Sequence, residues 1–196
     1  MAKKTEWVYR EILYQVLDKR QSFLRQRNIA QRCGVSAGNV SKALVPLESM
    51  NCIEKKPMGF SVVNPKKILL YWASIRNLQK DIIYRTMSER RAEDIEKDMP
   101  QVMFTAYSAY RFRFRDVPSD YSEVIVYSDE SKIRDRFPPR KGTANIFALE
   151  TDAHLKKFKK VPTAQVFVDL WNLSTWYANE FVKALEAKLD SPPEAK

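Results

Sequence analysis

The chain has 196 residues, of which 44% are hydrophobic and 12% aromatic, and its net charge is +10. This length suffices for two small domains, and the apolar content is too high for a disordered chain. The longest apolar run, residues 68–73, is far shorter than the about 20 residues of a membrane-spanning helix, so we expect a cytoplasmic protein without a membrane segment or export signal. The chain has only four glycines, too few for a glycine-rich nucleotide loop at their positions, and its two cysteines and one histidine are too few for a zinc finger. We therefore expect no cofactor and no bound metal.

The positive charge is concentrated in the first third of the chain. Residues 1–64 contain 11 Lys and Arg against 5 Asp and Glu, a net charge of +6, whereas residues 65–98 and 99–196 carry +2 each. A basic small domain joined to a nearly balanced remainder is the distribution expected for a protein that binds a polyanion. A merely soluble basic surface is the alternative that charge alone leaves open.

The first predicted element is an amphipathic helix over residues 7–19. Apolar side chains recur on one face of this helix, and Arg10 and Glu11 belong to its polar remainder. A short extended piece follows at residues 22–24. The next helix is short, and Asn28 is suited to cap it.

A tight turn and another helix come next. Gly34 suits the left-handed position that ends a helix, and Ser36 suits the N-cap of the following one. That following helix has an apolar stripe at helical spacing and an opposite face of small or polar groups, which predicts a helix-turn-helix. Pro46 predicts a kink or an early end of the helix, because proline lacks a backbone N–H and crowds the preceding turn.

Two alternating segments, residues 52–56 and 60–63, predict a β-hairpin that turns at Pro57, Met58 and Gly59. A hairpin placed after a helix-turn-helix is a wing. Residues 28–63, with NIAQRCGVSAGNVSKALVPLESMNCIEKK at their centre, resemble the winged-helix transcription-factor family. That resemblance implies binding to double-stranded DNA.

Exposed polar and basic groups of this segment predict the DNA contacts. Asn39 has the paired donor and acceptor that match an adenine edge, and Lys42 can reach guanine or phosphate. A phosphate is favoured at the N-terminus of the second helix by free N–H groups and by the helix dipole. The predicted DNA-binding residues are Arg27, Arg32, Ser36, Ala37, Gly38, Asn39, Ser41, Lys42, Lys55 and Lys56. For each basic residue taken singly, a solvated surface is the alternative.

The cysteines and the histidine show no catalytic pattern. Cys33 and Cys52 occupy apolar positions, which predicts small core residues rather than redox groups or metal ligands. His154 lies in a charged amphipathic stretch, so we predict it at the surface. Asp169 stands among large apolar neighbours on a helix and is the acid best suited to burial as a hydrogen-bonding group.

The remaining elements predict an α+β fold. A helix opened by Pro65 (residues 66–77) carries so many large apolar groups that we expect it to pack on the winged helix and also against the second domain or another subunit. The further predicted elements are strands at 81–87, 123–127 and 145–149 and helices at 89–98, at 106–112 and from Pro162 and Thr175 onward. We predict a winged-helix domain over residues 1–79, an α+β regulatory or interaction domain over 80–190, and a loose tail over 191–196.

Two segments of the second domain carry a further resemblance. FTAYSAYR (residues 104–111) and VPTAQVFVDLWNL (residues 161–173) are similar to the C-terminal domain of AbiEi-type antitoxins of type IV toxin-antitoxin pairs. This resemblance implies a prokaryotic, sequence-specific DNA-binding repressor whose C-terminal domain counters a nucleotidyltransferase-like toxin. A solo transcriptional regulator of the same architecture has the same sequence features.

A metal-dependent nuclease with a winged-helix targeting domain is the alternative function. Asp120, Glu130 and Lys132 imitate the Asp and Glu-x-Lys pattern that holds Mg²⁺ and activates water. Such groups normally project from a buried strand, whereas residues 128–132 have the composition of a polar turn. We therefore expect no enzymatic activity.

The second domain contains more aromatic residues than a core of its size requires. They are Tyr107, Tyr110, Phe112, Phe114, Trp171, Trp176 and Tyr177. Because aromatic residues are enriched at protein contacts, we expect some of them in a homodimer interface or in a docking surface for a partner protein.

Overall fold

The computed structural model describes residues 4–190 and shows an α+β fold. The chain divides into two compact units. The first unit consists of Met1–Arg76, Asp152–Phe158 and Pro162–Val168, and the second of Asn77–Thr151, Lys159–Val161 and Asp169–Lys196, each over its described residues. The predicted tail, residues 191–196, lies outside the described range. Across residues 4–190, no helix is long and apolar enough to cross a membrane.

The first unit combines four helices from the start of the chain with a three-stranded sheet. Its elements are α1 (Lys4–Leu13), extended by a π-helical turn (Tyr14–Asp18), β1 (Phe23–Leu24), α2 (Gln26–Cys33), α3 (Ala37–Ser49), β2 (Ile53–Lys56), β3 (Gly59–Val62) and α4 (Pro65–Ile75). β3 is the central strand and is antiparallel to both β1 and β2. This order of helices and strands is compatible with the predicted winged helix, in which β2 and β3 are the wing.

The turn between α2 and α3 has the predicted chemistry. Gly34 ends α2 with a φ of 68°, a left-handed conformation in which glycine avoids the clash of a Cβ atom. Ser36 is the N-cap of α3, and its Oγ accepts a hydrogen bond from the Asn39 N–H at 3.2 Å. The local signals in the sequence therefore determine where α3 begins.

One predicted boundary in this region was wrong. α2 begins at Gln26, with Arg25 at the N-cap position, so Asn28 lies inside the helix. Of the two outcomes expected of Pro46, a kink or an early end, the early end does not occur, because α3 continues to Ser49. Apolar side chains of α3 are buried on both sides of the proline, and this packing favours a continuous helix: Val40, Ala43, Leu44 and Leu47.

α4 belongs to the core of the first unit. This agrees with the expectation that α4 packs on the predicted winged helix. Trp72 is fully buried, and its Nε1 donates a hydrogen bond to Glu6 Oε2 of α1 at 3.1 Å. Cys33 and Cys52 are buried free thiols, which confirms them as core residues. Burial is the main cause that raises the pKa of Cys33 to about 12, so this thiol stays protonated.

The second unit is built on a four-stranded sheet. Its elements are β4 (Ile82–Thr86), α5 (Ala92–Asp98), β5 (Met103–Phe104), α6 (Ala106–Phe114), β6 (Val124–Tyr127), α7 (Glu130–Arg136), β7 (Ile146–Leu149) and α9 (Trp176–Asp190), with α8 (Thr163–Trp171) divided between the units. The strand order is β4-β7-β6-β5, and β6 and β7 are parallel while the other pairs are antiparallel. α7 supplies the crossover that the parallel pair requires.

Asp169 is fully buried in the second unit, in agreement with its prediction as a hydrogen-bonding acid. It accepts hydrogen bonds from Thr105 Oγ1 and from Tyr127 OH, each at 2.7 Å. Thr105 stands at the N-cap position of α6, but its hydroxyl binds Asp169 and does not cap the helix. Two of the aromatic residues predicted in surplus, Tyr107 and Tyr110, belong to the core.

Gly59 closes the wing beside β1, where a side chain has no room. A Cβ atom at this position would overlap the carbonyl oxygen of Leu24 and would lie 2.8 Å from the Phe23 ring. We expect Gly59→Ala to lower the free energy of unfolding by about 1–3 kcal/mol, measured by urea denaturation.

Gly38→Ala is the matched control, because its Cβ would meet only Ser36 Oγ at 3.8 Å. Gly38 lies in α3, so this variant should keep or gain stability, by up to about 1 kcal/mol. Equal stabilities of the two variants would contradict the close approach of β1 and β3 at Gly59.

Candidate DNA-binding surface

The exposed face of α3 carries a continuous set of the predicted contact residues. Its exposed members are Ala37, Gly38, Ser41 and Lys42, and Asn39 beside them is half-buried. Val45 lies further along the same helix and is 59% exposed, so it adds an apolar group of the kind that contacts a thymine methyl. The small side chains at the start of α3 leave its backbone open to close approach by a ligand.

Two of the hydroxyl groups near α3 already have partners. Ser36 Oγ caps the helix, and Ser41 Oγ donates to Gln26 Oε1 of α2 at 3.2 Å. The side-chain amide of Asn39 and the ammonium of Lys42, by contrast, have no partner among residues 4–190. These two groups are therefore available to read base edges.

A cationic cleft lies between the start of α2 and the wing. It is lined by Arg25, Gln26, Arg27, Asn28, Gln31, Lys55, Lys56, Met58 and Gly59. Lys55 pairs with Glu48 and Lys56 pairs with Glu54, each with an N–O distance of 2.7 Å. Such exposed pairs contribute only about 0–1 kcal/mol, so the lysines can exchange a carboxylate for a phosphate at little cost.

The structure thus brings most of the predicted contact residues onto two adjoining features, the exposed face of α3 and the cleft. Arg32 lies in the last turn of α2, is 53% exposed and has its guanidinium 3.7 Å from Glu11 Oε1. Arg25 also lines the cleft but was not predicted, although it lies only two residues before Arg27 in the sequence.

A buried polar cluster connects α1 with chain segments from far along the sequence. Arg10 is fully buried, and its Nη1 and Nη2 donate to Asp152 Oδ1 and Oδ2 at 2.9 and 2.7 Å. Its Nε donates to Gln165 Oε1 at 2.7 Å. Because a buried charge is tolerated only when it is paired and hydrogen-bonded, these contacts fix Asp152–Phe158, here called the returning segment, to the first unit.

His154 belongs to this cluster, so the prediction of a surface histidine was wrong. It is 1% exposed, its Nε2 lies 3.0 Å from Glu11 Oε2, and its Nδ1 lies 3.2 Å from Arg10 Nη1. A neutral imidazole with the proton on Nε2 satisfies both contacts, donating to Glu11 and accepting from Arg10. The lysines that follow His154 in the sequence suggested an exposed segment. Its partners Glu11 and Arg10, however, are 143 and 144 residues away in the sequence.

The electrostatics of the cluster favour this arrangement. Burial is the largest cause acting on His154 and lowers its pKa below the usual 6.5, although the hydrogen bond to Glu11 opposes it. Burial acts to raise the pKa of Asp152, but the hydrogen bonds and charge of Arg10 outweigh it, and the pKa is lowered. The pKa of Glu11 is lowered in the same way, mainly by the hydrogen bonds from His154 and Gln15.

The residues of the nuclease pattern lie in the second unit. Glu130 and Lys132 are on α7, so the predicted polar turn over residues 128–132 is in part a helix. Glu130 pairs with Arg134 and Lys132 pairs with Asp129, both along the same exposed stretch. Within residues 4–190, no three or more His, Cys, Asp or Glu side chains are grouped so that they could hold a metal ion.

A family model of Firmicute plasmid replication proteins (RepL) matches residues 2–110, more than half of the chain. The chain belongs to this family. Membership indicates a DNA-binding, plasmid-associated protein of prokaryotic type. The match spans α1 to β5 and continues into α6. The match gives no support specific to the resemblance to AbiEi-type antitoxins. Searches of curated proteins and of solved structures gave no significant match.

The lowered pKa of His154 makes the stability of the protein depend on pH. Below pH 6.5 the unfolded chain takes up a proton at His154 that the folded chain does not bind, so stability decreases as the pH falls through this window. The slope is at most about 1.4 kcal/mol per pH unit, measured by urea denaturation between pH 7.5 and 5.5.

His154→Gln provides the control, because His154 is the only histidine of the chain. The variant should lose most of the pH dependence in this range. A wild-type protein that became more stable as the pH fell from 7.5 to 5.5 would contradict the neutral histidine, since it would require a protonated imidazole paired with Glu11.

Proposed function

We propose that the protein is a sequence-specific, double-stranded DNA-binding regulator of a plasmid, and that its first unit forms the DNA-binding surface. The observation that carries this proposal is the combination, on one unit, of a capped α3 with an open polar face and an adjoining cationic cleft. Membership of a plasmid replication family supports plasmid DNA as the ligand.

Base recognition is assigned to the groups of α3 that lack a partner among residues 4–190. The major groove admits an α-helix, and the amide of Asn39 can bind an adenine edge while Lys42 reaches guanine or phosphate. Val45 supplies an apolar contact on the same helix. Arg25 and Arg27, with the lysines of the wing, provide phosphate contacts that position the helix but do not read sequence.

Repression of transcription is the mode of regulation that we propose for such a surface, because a bound protein excludes other proteins from the same DNA. An antitoxin role rests on the resemblance of residues 104–111 and 161–173 alone. A homodimer partner or a nucleotidyltransferase-like toxin would contact exposed aromatic residues of the second unit, such as Phe112 and Trp176, which are 51% and 76% exposed.

We also propose that the protein binds DNA without cutting it. Glu130 and Lys132 are engaged in short-range pairs on an exposed helix, and Asp120 lies in an exposed loop before β6. This arrangement does not direct the three groups toward one reacting phosphate.

The full chain should bind duplex DNA with an affinity that falls steeply as salt rises, by a slope of about 0.9 in log affinity per phosphate neutralised. Fluorescence anisotropy with a duplex selected from a random library and with its scrambled counterpart measures this. The full chain is required, because a fragment ending at residue 79 would leave Arg10 and Glu11 without their buried partners.

Two variants separate base reading from phosphate binding. Asn39→Ala should reduce the discrimination between selected and scrambled duplex by about 1–3 kcal/mol, whereas Lys55→Ala should weaken binding to both duplexes alike. Absent or salt-independent binding by the wild-type protein would refute the proposed function. A uniform loss of affinity in Asn39→Ala would refute the role of Asn39 as a base reader but not the proposed function.

The nuclease alternative is tested with supercoiled plasmid and Mg²⁺ or Mn²⁺. We expect the plasmid to stay uncut at protein concentrations that saturate binding. Cleavage that disappears in Glu130→Ala but persists in Lys183→Ala, a change at an exposed lysine of α9, would show that the protein is an enzyme.

A further inference from the structure

The returning segment places a lysine against the turn of the helix-turn-helix. Lys157 Nζ donates a hydrogen bond to the backbone carbonyl of Arg32 at 2.7 Å. A Cβ atom at Gly34 would lie 3.8 Å from the same nitrogen, so the Lys157 ammonium lies beside the turn that leads into α3. The lysine comes from a part of the chain 125 residues further along than its acceptor.

The position of this lysine is fixed by buried contacts on both sides. Asp152 Oδ1 accepts hydrogen bonds from the N–H groups of His154 and Leu155 at 3.0 and 2.8 Å, which caps the 3₁₀ turn Leu155–Lys157. Leu155 is fully buried, and Phe158 packs edge-on against Tyr14 with ring centroids 4.8 Å apart. The turn is therefore a structured part of the first unit.

The charges on this turn are not neutralised by any carboxylate of the described residues. Lys156 and Lys157 are both exposed, and neither forms an ion pair with a carboxylate among residues 4–190. Lys157 uses one of its three N–H donors for the Arg32 carbonyl, which leaves two donors for a ligand. Together with the half-exposed guanidinium of Arg32, these groups form a cationic patch beside the start of α3.

We propose that Lys156 and Lys157 are part of the DNA-binding surface and contact the phosphate backbone beside the groove entered by α3. This inference rests on the proposed function and extends its site. A backbone phosphate suits the patch, because lysine acts as a point charge and the amino end of α3 adds free N–H groups. Residues 156 and 157 lie outside residues 2–110, which match the family model.

The test compares three double variants of the full chain. Lys156→Ala with Lys157→Ala removes both charges, and Lys156→Arg with Lys157→Arg keeps them. Lys132→Ala with Lys183→Ala is the control, because it removes two exposed lysine charges from the second unit. Affinity for selected and scrambled duplexes is measured against salt, and the melting temperature of each variant is recorded.

We expect the Lys156→Ala/Lys157→Ala variant to bind both duplexes about 10- to 30-fold more weakly near 0.15 M salt, with a salt slope smaller by about 2. The arginine variant and the control should bind as the wild-type protein does, and all melting temperatures should agree. The equal loss on both duplexes is the signature of phosphate contacts.

Three results would overturn the inference. The first is wild-type affinity and slope in the alanine variant; the second is an equal loss in the arginine variant; the third is a loss confined to the selected duplex. In each case the wild-type protein still binds DNA and the proposed function stands. Absent or salt-independent binding by the wild-type protein would instead refute the proposed function itself.

Discussion

The first unit depends on the hydrogen bonds and the ion pair that the buried guanidinium of Arg10 forms. The guanidinium binds Asp152 and Gln165, which lie 142 and 155 residues further along the chain. Removing one member of a buried charge pair typically costs about 3–5 kcal/mol, because the remaining charge is left without a partner. α2 and α3 therefore fold as part of a unit that includes the returning segment and Pro162–Val168, although α2 and α3 follow each other directly in the sequence.

This constraint has consequences for the DNA-binding surface. Asp152 accepts from Arg10 and also caps the turn that carries Lys157, so one carboxylate links the core of the unit to its surface. Glu11 has a similar double role, because it binds His154 inside the cluster and lies 3.7 Å from Arg32 at the surface. The cations beside α3 are thus positioned by the same contacts that stabilise the fold.

The sequence predicted those features that depend on neighbouring residues. Gly34 and Ser36 define the turn through conformations and hydrogen bonds that reach only three residues, and the alternation of the wing is equally local. The α+β class and the burial of Asp169 followed from apolar periodicity. The predicted contact residues lie within residues 27–56, and the structure brings most of them onto the exposed face of α3 and the adjoining cleft.

The remaining features depend on contacts between distant residues. Arg10 looked like a surface residue because it lies off the apolar face of its predicted helix, and His154 because charged residues flank it. No local pattern reveals that the two residues meet. The predicted boundary at residue 79 assigned the returning segment to the second domain, whereas its contacts group it with the first unit. Lys157 was absent from the predicted contact residues for the same reason.

Hydrogen exchange of the full chain, with and without a selected duplex, tests the central claim most directly. We predict that DNA slows exchange in α3, in the wing and in the turn Leu155–Lys157, and leaves the sheet of the second unit unchanged. Protection confined to the second unit, or none at saturating DNA, would contradict the assignment of DNA binding to the first unit.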